Sequence, residues 1–278
     1  MDKMLIVDGS ALLFQSFFGM PNKIVNSKGQ NIEAVICFVG ILHKVLRSIQ
    51  PQRLLVVFDG ENELNRQHID NEYKANRQSF CDMSQEDNPF EQLALIRLVL
   101  NSLHYYNLET VACEADDYIA SVVNQYADSY EIVIMSSDKD FYQLVRPTVS
   151  VYTYRGKVSI LWTQERIIQQ YGFSPQYFTT LKSLVGDSSD NIKGVYGIGI
   201  KTATALIQAY GELSNIMTNI NMLSPRIAKL LIDNYPRLLR NYSIIDLKNI
   251  CLPVTIPDCL FTISPLKTSD ILRNCQLI

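Results

Sequence analysis

Met4-Leu5-Ile6-Val7 runs directly into Asp8, and the same pattern recurs twice: Leu54-Leu55-Val56-Val57-Phe58 stops at Asp59, and Ile132-Val133-Ile134-Met135 stops at Ser136-Ser137-Asp138. Four or five consecutive aliphatic residues without polar alternation fit strands covered on both faces, as in a parallel sheet. Between these runs, residues 33–48 and 90–104 space their apolar side chains by three and four, the period of a helix packed on one side. Alternating strand and helix signals predict an α/β fold, a mostly parallel central sheet flanked by helices. Ligands in such open sheets gather at the carboxyl ends of the strands. Three strands that each bring an aspartate to that edge predict a shared acidic site, although any one of them is equally readable as a helix cap or turn residue.

With 278 residues, 47% hydrophobic and 19% charged, the chain is a core-forming globular protein, and disorder, collagen and a coiled-coil rod are excluded. The length predicts a main domain with a smaller annex. No apolar run approaches the ~20 residues of a membrane span, and the apolar stretch at the N-terminus is too short and too soon charged for a signal peptide, so a cytoplasmic location is expected. The six cysteines have no C-x-x-C spacing, which predicts free thiols and no zinc site. A net charge of −3, from 25 basic and 28 acidic side chains, ordinarily argues against a nucleic-acid partner. It ceases to do so if about eight acids are confined to one cluster, because the rest of the surface is then basic.

Three further acidic groups test that condition. Glu114-Ala115-Asp116-Asp117 precedes a helical pattern, where carboxylates suit the helix dipole; on a helix, Glu114 and Asp117 share a face and Asp116 points elsewhere. Ser136-Ser137-Asp138-Lys139-Asp140 and Gly186-Asp187-Ser188-Ser189-Asp190-Asn191 follow. Carboxylates crowded into one partly desolvated cleft must be relieved by protons or cations. Hard oxygen donors without His or Cys point to Mg²⁺ or Mn²⁺, and the number of acids suits two ions, the apparatus for attack of water on a phosphodiester. His43, His68 and His104 lie outside the acidic motifs and read as structural or surface residues.

From Thr163 to about Tyr210 the pattern is helical, broken by Gly194-Val195-Tyr196-Gly197-Ile198-Gly199-Ile200-Lys201-Thr202-Ala203. Gly197 and Gly199 permit a tight turn, and the amides opening the second helix meet a phosphate unobstructed, with Lys201 and Thr202 adding contacts. The glycine spacing and the lack of a preceding strand argue against a Walker loop. The helix-hairpin-helix reading predicts a sequence-independent grip on a DNA backbone.

Seven motifs in register now carry a resemblance: Val7-Asp8-Gly9, Phe58-Asp59-Gly60, Tyr73-Lys74-Ala75-Asn76-Arg77, Glu114-Ala115-Asp116-Asp117, Ser137-Asp138-Lys139-Asp140, Gly186 to Asn191 and Gly197 to Ala203. Over roughly residues 4–215 the chain resembles the bacterial and phage 5′ nucleases, the family of flap endonucleases and of the 5′-3′ exonuclease domain of DNA polymerase I. Ending at Ile278, it looks like a free-standing member.

The resemblance implies a PIN-like α/β nuclease domain over 1–162, with an arch at about 61–89, and a helical subdomain over 163–278 with its hairpin at about 180–210. It implies that Asp8, Asp59, Glu114 and Asp116 form a first metal site, and that Asp138, Asp140 and Asp187 form a second, with Asp117 and Asp190 as further acids. The expected cofactors are two Mg²⁺ or Mn²⁺, with K⁺ at the hairpin. Lys74 and Arg77, three apart in the arch, would face the scissile phosphate from one helical turn; Tyr73 would stack on a base and Arg66 would meet a phosphate. The implied partners are DNA with 5′ flaps, nicks or 5′ ends, RNA primers included, and the implied state is a monomer. The implied activity is two-metal hydrolysis in primer removal, replication or repair.

The sequence also departs from the family. Asn65 stands where many relatives carry Phe, Lys193 replaces the proline of Asn-Ile-Pro-Gly, and residues 81–88 are acidic. Beyond Asn221 the match fades, and no chemistry is assigned there. Two other readings stand: a PIN-like ribonuclease, which would lack the hairpin and the Lys74 motif, and a non-catalytic DNA junction-binding protein, which would have lost ligands.

Overall fold

The computed structural model describes residues 1–60, 69–70, 72–75, 87–256 and 260–278. The chain opens with strand β1 (Asp2–Asp8), helices α1 (Gly9–Gly19) and α2 (Glu33–Ile49), and strand β2 (Arg53–Phe58). Next among the described elements come α3 (Leu93–Ser102), β3 (Asn107–Glu109), α4 (Ala115–Tyr126), β4 (Tyr130–Met135), β5 (Val149–Thr153) and β6 (Ile160–Trp162). The helical part holds α5 (Gln164–Tyr171), α6 (Phe178–Val185), a minimal ribbon of β7 (Gly186–Asp187) and β8 (Ile192–Lys193), then α7 (Ile200–Tyr210), α8 (Leu213–Thr218), α9 (Pro225–Asp233), α10 (Tyr235–Ile245) and α11 (Thr268–Asn274).

The six strands β1–β6 form one sheet in the order β3-β2-β1-β4-β5-β6, parallel except for β6. The apolar runs form its centre because both faces are covered: Leu5, Val7 and Val56 pack toward α2, and Ile6, Val57 and Ile134 toward α4. The sequence order reverses across β1 and β4, so the crevice at their carboxyl ends is the switch point at which such sheets bind ligands. Register makes the ends level: Val7 pairs with Met135 and Asp8 with Val57, which brings Asp8, Asp59 and the Ser136–Asp138 turn to one edge.

Helix α2 buries Val35, Phe38, Leu42, Val45 and Leu46 at three- and four-residue spacing, as its sequence predicts. The predicted 90–104 helix is divided. Pro89–Gln92 is a 3₁₀ turn capped by the Asn88 side chain, and the α-helix begins only at Leu93. Proline cannot donate to the turn and fits its start.

The segment beyond Asn221 closes the molecule in two places. Asn241, fully buried on α10, donates to the carbonyls of Ser183 (3.2 Å) and Lys193 (2.9 Å), tying α10 to α6 and β8. The chain then returns to the sheet domain: Phe261 N bonds the Gln52 carbonyl at 2.8 Å, and Ile271, Leu272 and Leu277 join the core around α2. Among the described residues no helix is long and apolar enough to cross a membrane.

Candidate active site

Asp8 and Asp59 each accept from an amide that opens a helix and line a cavity at the same time, so the two readings of these residues coexist. Asp8 Oδ1 accepts from Ala11 N (2.9 Å) at the start of α1, while its Oδ2 accepts from Ser136 Oγ (2.7 Å). Asp59 Oδ1 accepts from Ala115 N (2.7 Å) at the start of α4, and its own amide donates to Ser10 Oγ (2.9 Å). Gly60 follows because a Cβ there would collide with the Thr110 carbonyl. Ser136 Oγ also accepts from Asp138 N (3.0 Å), and Asp138 Oδ1 from Asp140 N (2.8 Å), so one chain of bonds joins β1 to the β4 turn.

Asp8, Asp59, Asp116 and Asp138 line one cavity of about 360 Å³, with Ser10, Phe14, Lys74 and Ser137. Next to it, Asp140, Asp187 and Asp190 bring carboxylate oxygens within 4.8 Å of one another. Asp116, Asp140 and Asp190 share a narrow cleft closed by Tyr73, Ile192, Ile244, Ile245 and Leu247. Nothing in the sequence beyond Asn221 signals this role for α10, whose last apolar turn forms the dry back wall of the acidic pit.

Desolvation and mutual repulsion govern the acids. Burial pushes the Asp8 carboxyl up to about 7; the bonds from Ala11 and Ser136 oppose the rise, and the charges of Asp59 and Asp138 add to it. Burial, then Asp138, Asp8 and Asp59, drive Asp116 well above the usual carboxylate range, with Lys74 only partly offsetting them. Asp187 behaves oppositely. Burial acts to raise it, but hydrogen bonds from Lys182 and Ser189 prevail and hold it below its ordinary value. The Lys182 ammonium donates to Asp187 Oδ2 at 2.6 Å and also to Asp140 Oδ1. Lys182 was not singled out in the sequence, where it is one lysine in an apolar helix five residues before Asp187.

The helical-face reading of Glu114 and Asp117 is corrected. Glu114 is the N-cap of α4, with extended backbone (φ −69°, ψ 152°), so three-residue helical spacing does not begin at it. Asp116 faces the cavity, Asp117 is buried on the first turn of α4, and Glu114 turns to the arch base: Oε1 pairs with Lys74 Nζ (2.8 Å) and Oε2 accepts from Tyr73 OH (3.2 Å).

The arch expectations are met by a different local structure. Lys74 has a left-handed backbone (φ +55°) in a turn, so a common helical face with Arg77 does not start there. Tyr73 is 3% exposed, packed against Ile192, Ile244 and Ile245, which leaves no ring face open to a base. Arg77 and Arg66 lie outside the described residues, as do Asn65 and His68.

The hairpin takes its predicted form between α6 and α7. Gly197 has φ +91°, which an L-side chain rarely adopts, and Gly199 is the N-cap of α7 without a side-chain cap, leaving the first amides of that helix open. Tyr196 is 95% exposed, and Lys201 is exposed beside Thr202. A groove of about 520 Å³ runs from Asp138 and Asp187, past Lys139, Ser188 and Ser189, to Ile200 at the start of α7.

A family model of the 5′-3′ exonuclease N-terminal, resolvase-like domain matches residues 3–172, and one of the 5′-3′ exonuclease C-terminal SAM fold matches residues 173–266. The chain belongs to the 5′-3′ exonuclease family. This exonuclease-family chain is 35% identical over 224 residues to the thermostable DNA polymerase I of Thermus thermophilus, covering 80% of the chain and 26% of that protein. It is 31% identical over 261 residues to DNA polymerase I of Mycobacterium bovis, covering 92% and 28%. The chain thus spans about a quarter of the length of these curated relatives.

Among solved structures its fold is similar to bacteriophage T5 D15 flap endonuclease, solved as a pseudo-enzyme–product complex with DNA and metal ions (TM-score 0.74, 23% identity, 90% of each chain). It is also similar to the catalytic core of Rad2 with a DNA substrate (TM-score 0.64, 17% identity, 99% of this chain and 87% of that one).

Proposed function

We propose that the chain hydrolyses DNA phosphodiesters near a 5′ end or at a junction between single strand and duplex, with two Mg²⁺ or Mn²⁺ ions, as a 5′-3′ exonuclease and flap endonuclease acting in primer removal, replication or repair. The observation that carries this is the convergence of Asp8, Asp59, Asp116 and Asp138 on one cavity beside the Asp140, Asp187 and Asp190 cluster. An all-oxygen donor set, so crowded that two members are pushed toward protonation, fits hard divalent cations. In this reading Asp8, Asp59, Glu114 and Asp116 serve one ion, Asp138, Asp140 and Asp187 the other, with Asp117 and Asp190 as supporting acids.

Bound ions would supply Lewis-acid charge and a water of lowered pKa. Asp8 and Asp116 would hold an ion as carboxylates, their positive partner relieving the repulsion between them. Lys74, which lines the cavity while paired with Glu114, presents N–H donors to the phosphate oxygens as charge builds. Ile244, Ile245 and Tyr73 exclude water from the back of the pit and so strengthen each charge interaction within it. Lys182 holds Asp187 below its ordinary carboxyl range and donates to Asp140 with the same ammonium.

The duplex is held at the hairpin, by the open amides of α7 with Gly197, Gly199, Lys201 and Thr202, and the groove past Lys139 leads its backbone to the acids. The Gly197 carbonyl accepts from the Arg226 guanidinium at 3.4 Å, and the hairpin would also hold a K⁺. The protein acts as a monomer in the cytoplasm, and takes RNA-primed 5′ ends as well as DNA.

The test uses end-labelled 5′-flap, nicked and blunt duplexes with Mg²⁺, Mn²⁺ or EDTA. Cleavage close to the junction, only with metal, is expected, and Asp138→Ala binds DNA without cutting it. Metal-independent cleavage, or full activity in Asp138→Ala, overturns the reading.

A further inference from the structure

Lys74 is held beside Glu114 in a turn, and a left-handed lysine persists only where its surroundings over-determine it. Those surroundings lie across the site, on the loop of Asp187 and Asp190. Lys74 N donates to the Asp190 carbonyl (3.0 Å), and Asn191 Nδ2 donates to the Glu72 carbonyl (2.7 Å). Lys193 Nζ pairs with Glu72 Oε2 (2.7 Å), and Arg240 of α10 pairs with Asp70 (3.3 Å). Asn191 is itself left-handed (φ +57°), which turns its amide toward the arch base. Two segments about 120 residues apart in sequence are thus joined, one carrying the arch lysine and the other acids of the Asp140 cluster.

We propose that Lys193 is a positioning residue: through its ion pair with Glu72 it latches the 72–74 turn onto the metal-ligand loop and so sets Lys74 over the cavity. The pair is exposed, with 65% and 61% of the two side chains accessible, so it acts by biasing the turn rather than by large stabilisation. The inference rests on the nuclease reading, because Lys74 matters there as the phosphate's cationic contact.

The test is a double-mutant cycle on Lys193→Gln and Glu72→Gln with Mn²⁺, reading the single-turnover cleavage rate at saturating 5′-flap DNA and, separately, the Kd for DNA. Each single change is expected to slow single-turnover cleavage about 2–5-fold, with the double variant no slower than either, as for one shared exposed pair. Lys193→Arg should restore the rate. Hydrogen exchange at the amides of Glu72–Ala75, in the protein without DNA or metal, should accelerate in both single variants.

Losses that multiply in the double variant would overturn the latch. A weaker Kd for Lys193→Gln with an unchanged rate and a silent Glu72→Gln would also overturn it, by making Lys193 a phosphate contact. If the parent protein cleaves no DNA, the functional reading fails alone, and unchanged exchange at Glu72–Ala75 would still reject the latch.

Discussion

Lys182 Nζ lies 2.6 Å from Asp187 Oδ2 and bonds Asp140 with the same ammonium, so a resident cation sits between two acids of the proposed metal centre. All three side chains are less than a fifth exposed. The ammonium holds Asp187 below its ordinary value against the opposing effect of burial, and ties it to Asp140.

Lys182→Met removes that neutralisation and leaves Asp140 and Asp187 facing each other. In EDTA the variant is expected to lose about 2–3 kcal/mol of stability, below the full cost of stranding a buried charge because some water reaches the site. Mn²⁺ should recover most of the loss. Denaturant melts with and without the ion check this, and a variant as stable as the parent in EDTA would contradict it.

Asp8 and Asp116 predict the pH response of the metal-free protein. A carboxyl whose folded pKa exceeds its unfolded value binds its proton more tightly when folded. Its contribution for Asp8 is complete below the ordinary carboxyl value of 3.8 and is lost as pH rises through about 7. Asp187, held low, loses its contribution only as pH falls below the ordinary carboxylate range, outside this window. In EDTA the melting temperature should therefore fall from pH 5 to pH 8, and Asp116→Asn should raise it at pH 8 by about 2–4 °C per kcal/mol of repulsion removed. A Tm that rises over that interval, or no gain from Asp116→Asn, would count against the crowding described.

Strand positions and two of the acids were legible because their signals are local. Unbroken apolar runs make β1, β2 and β4, and the residue after each run reaches the sheet edge by geometry alone. Glu114 was misread because a cap residue carries no helical phase. Lys182, Ile244 and Ile245 were missed because they join the site through packing between distant helices, here fixed by Asn241, and no periodicity encodes that contact. Tyr73 carries an aromatic side chain in a basic motif, but its surroundings, Ile192, Ile244 and Ile245, come from the far end of the chain.

Lys74→Ala should lower the single-turnover rate by about 10²–10³, the scale of removing one transition-state donor. The change also removes the cation paired with Glu114 Oε1, on a side chain that is buried. Lys74→Ala combined with Glu114→Gln should therefore regain stability and stay slow. Quench-flow cleavage beside thermal melts separates the two effects, and a double variant restored in rate would make the role of Lys74 purely structural.

Lys201→Gln is expected to weaken duplex binding alike across sequences and to reduce the slope of log K against log[salt] by about 1, while the rate at saturating DNA stays unchanged. Fluorescence anisotropy over a salt series measures it. An unaltered slope would remove Lys201 from the phosphate contacts at the hairpin.

The central claim is that separated carboxylates assemble to hold a pair of divalent ions. Calorimetric titration of Mn²⁺ into the protein bound to uncleavable flap DNA addresses it directly, with Asp187→Asn alongside. Two ions per chain in the parent and one in the variant is the predicted result; no heat of binding in the parent, or equal stoichiometry in both, would contradict the account.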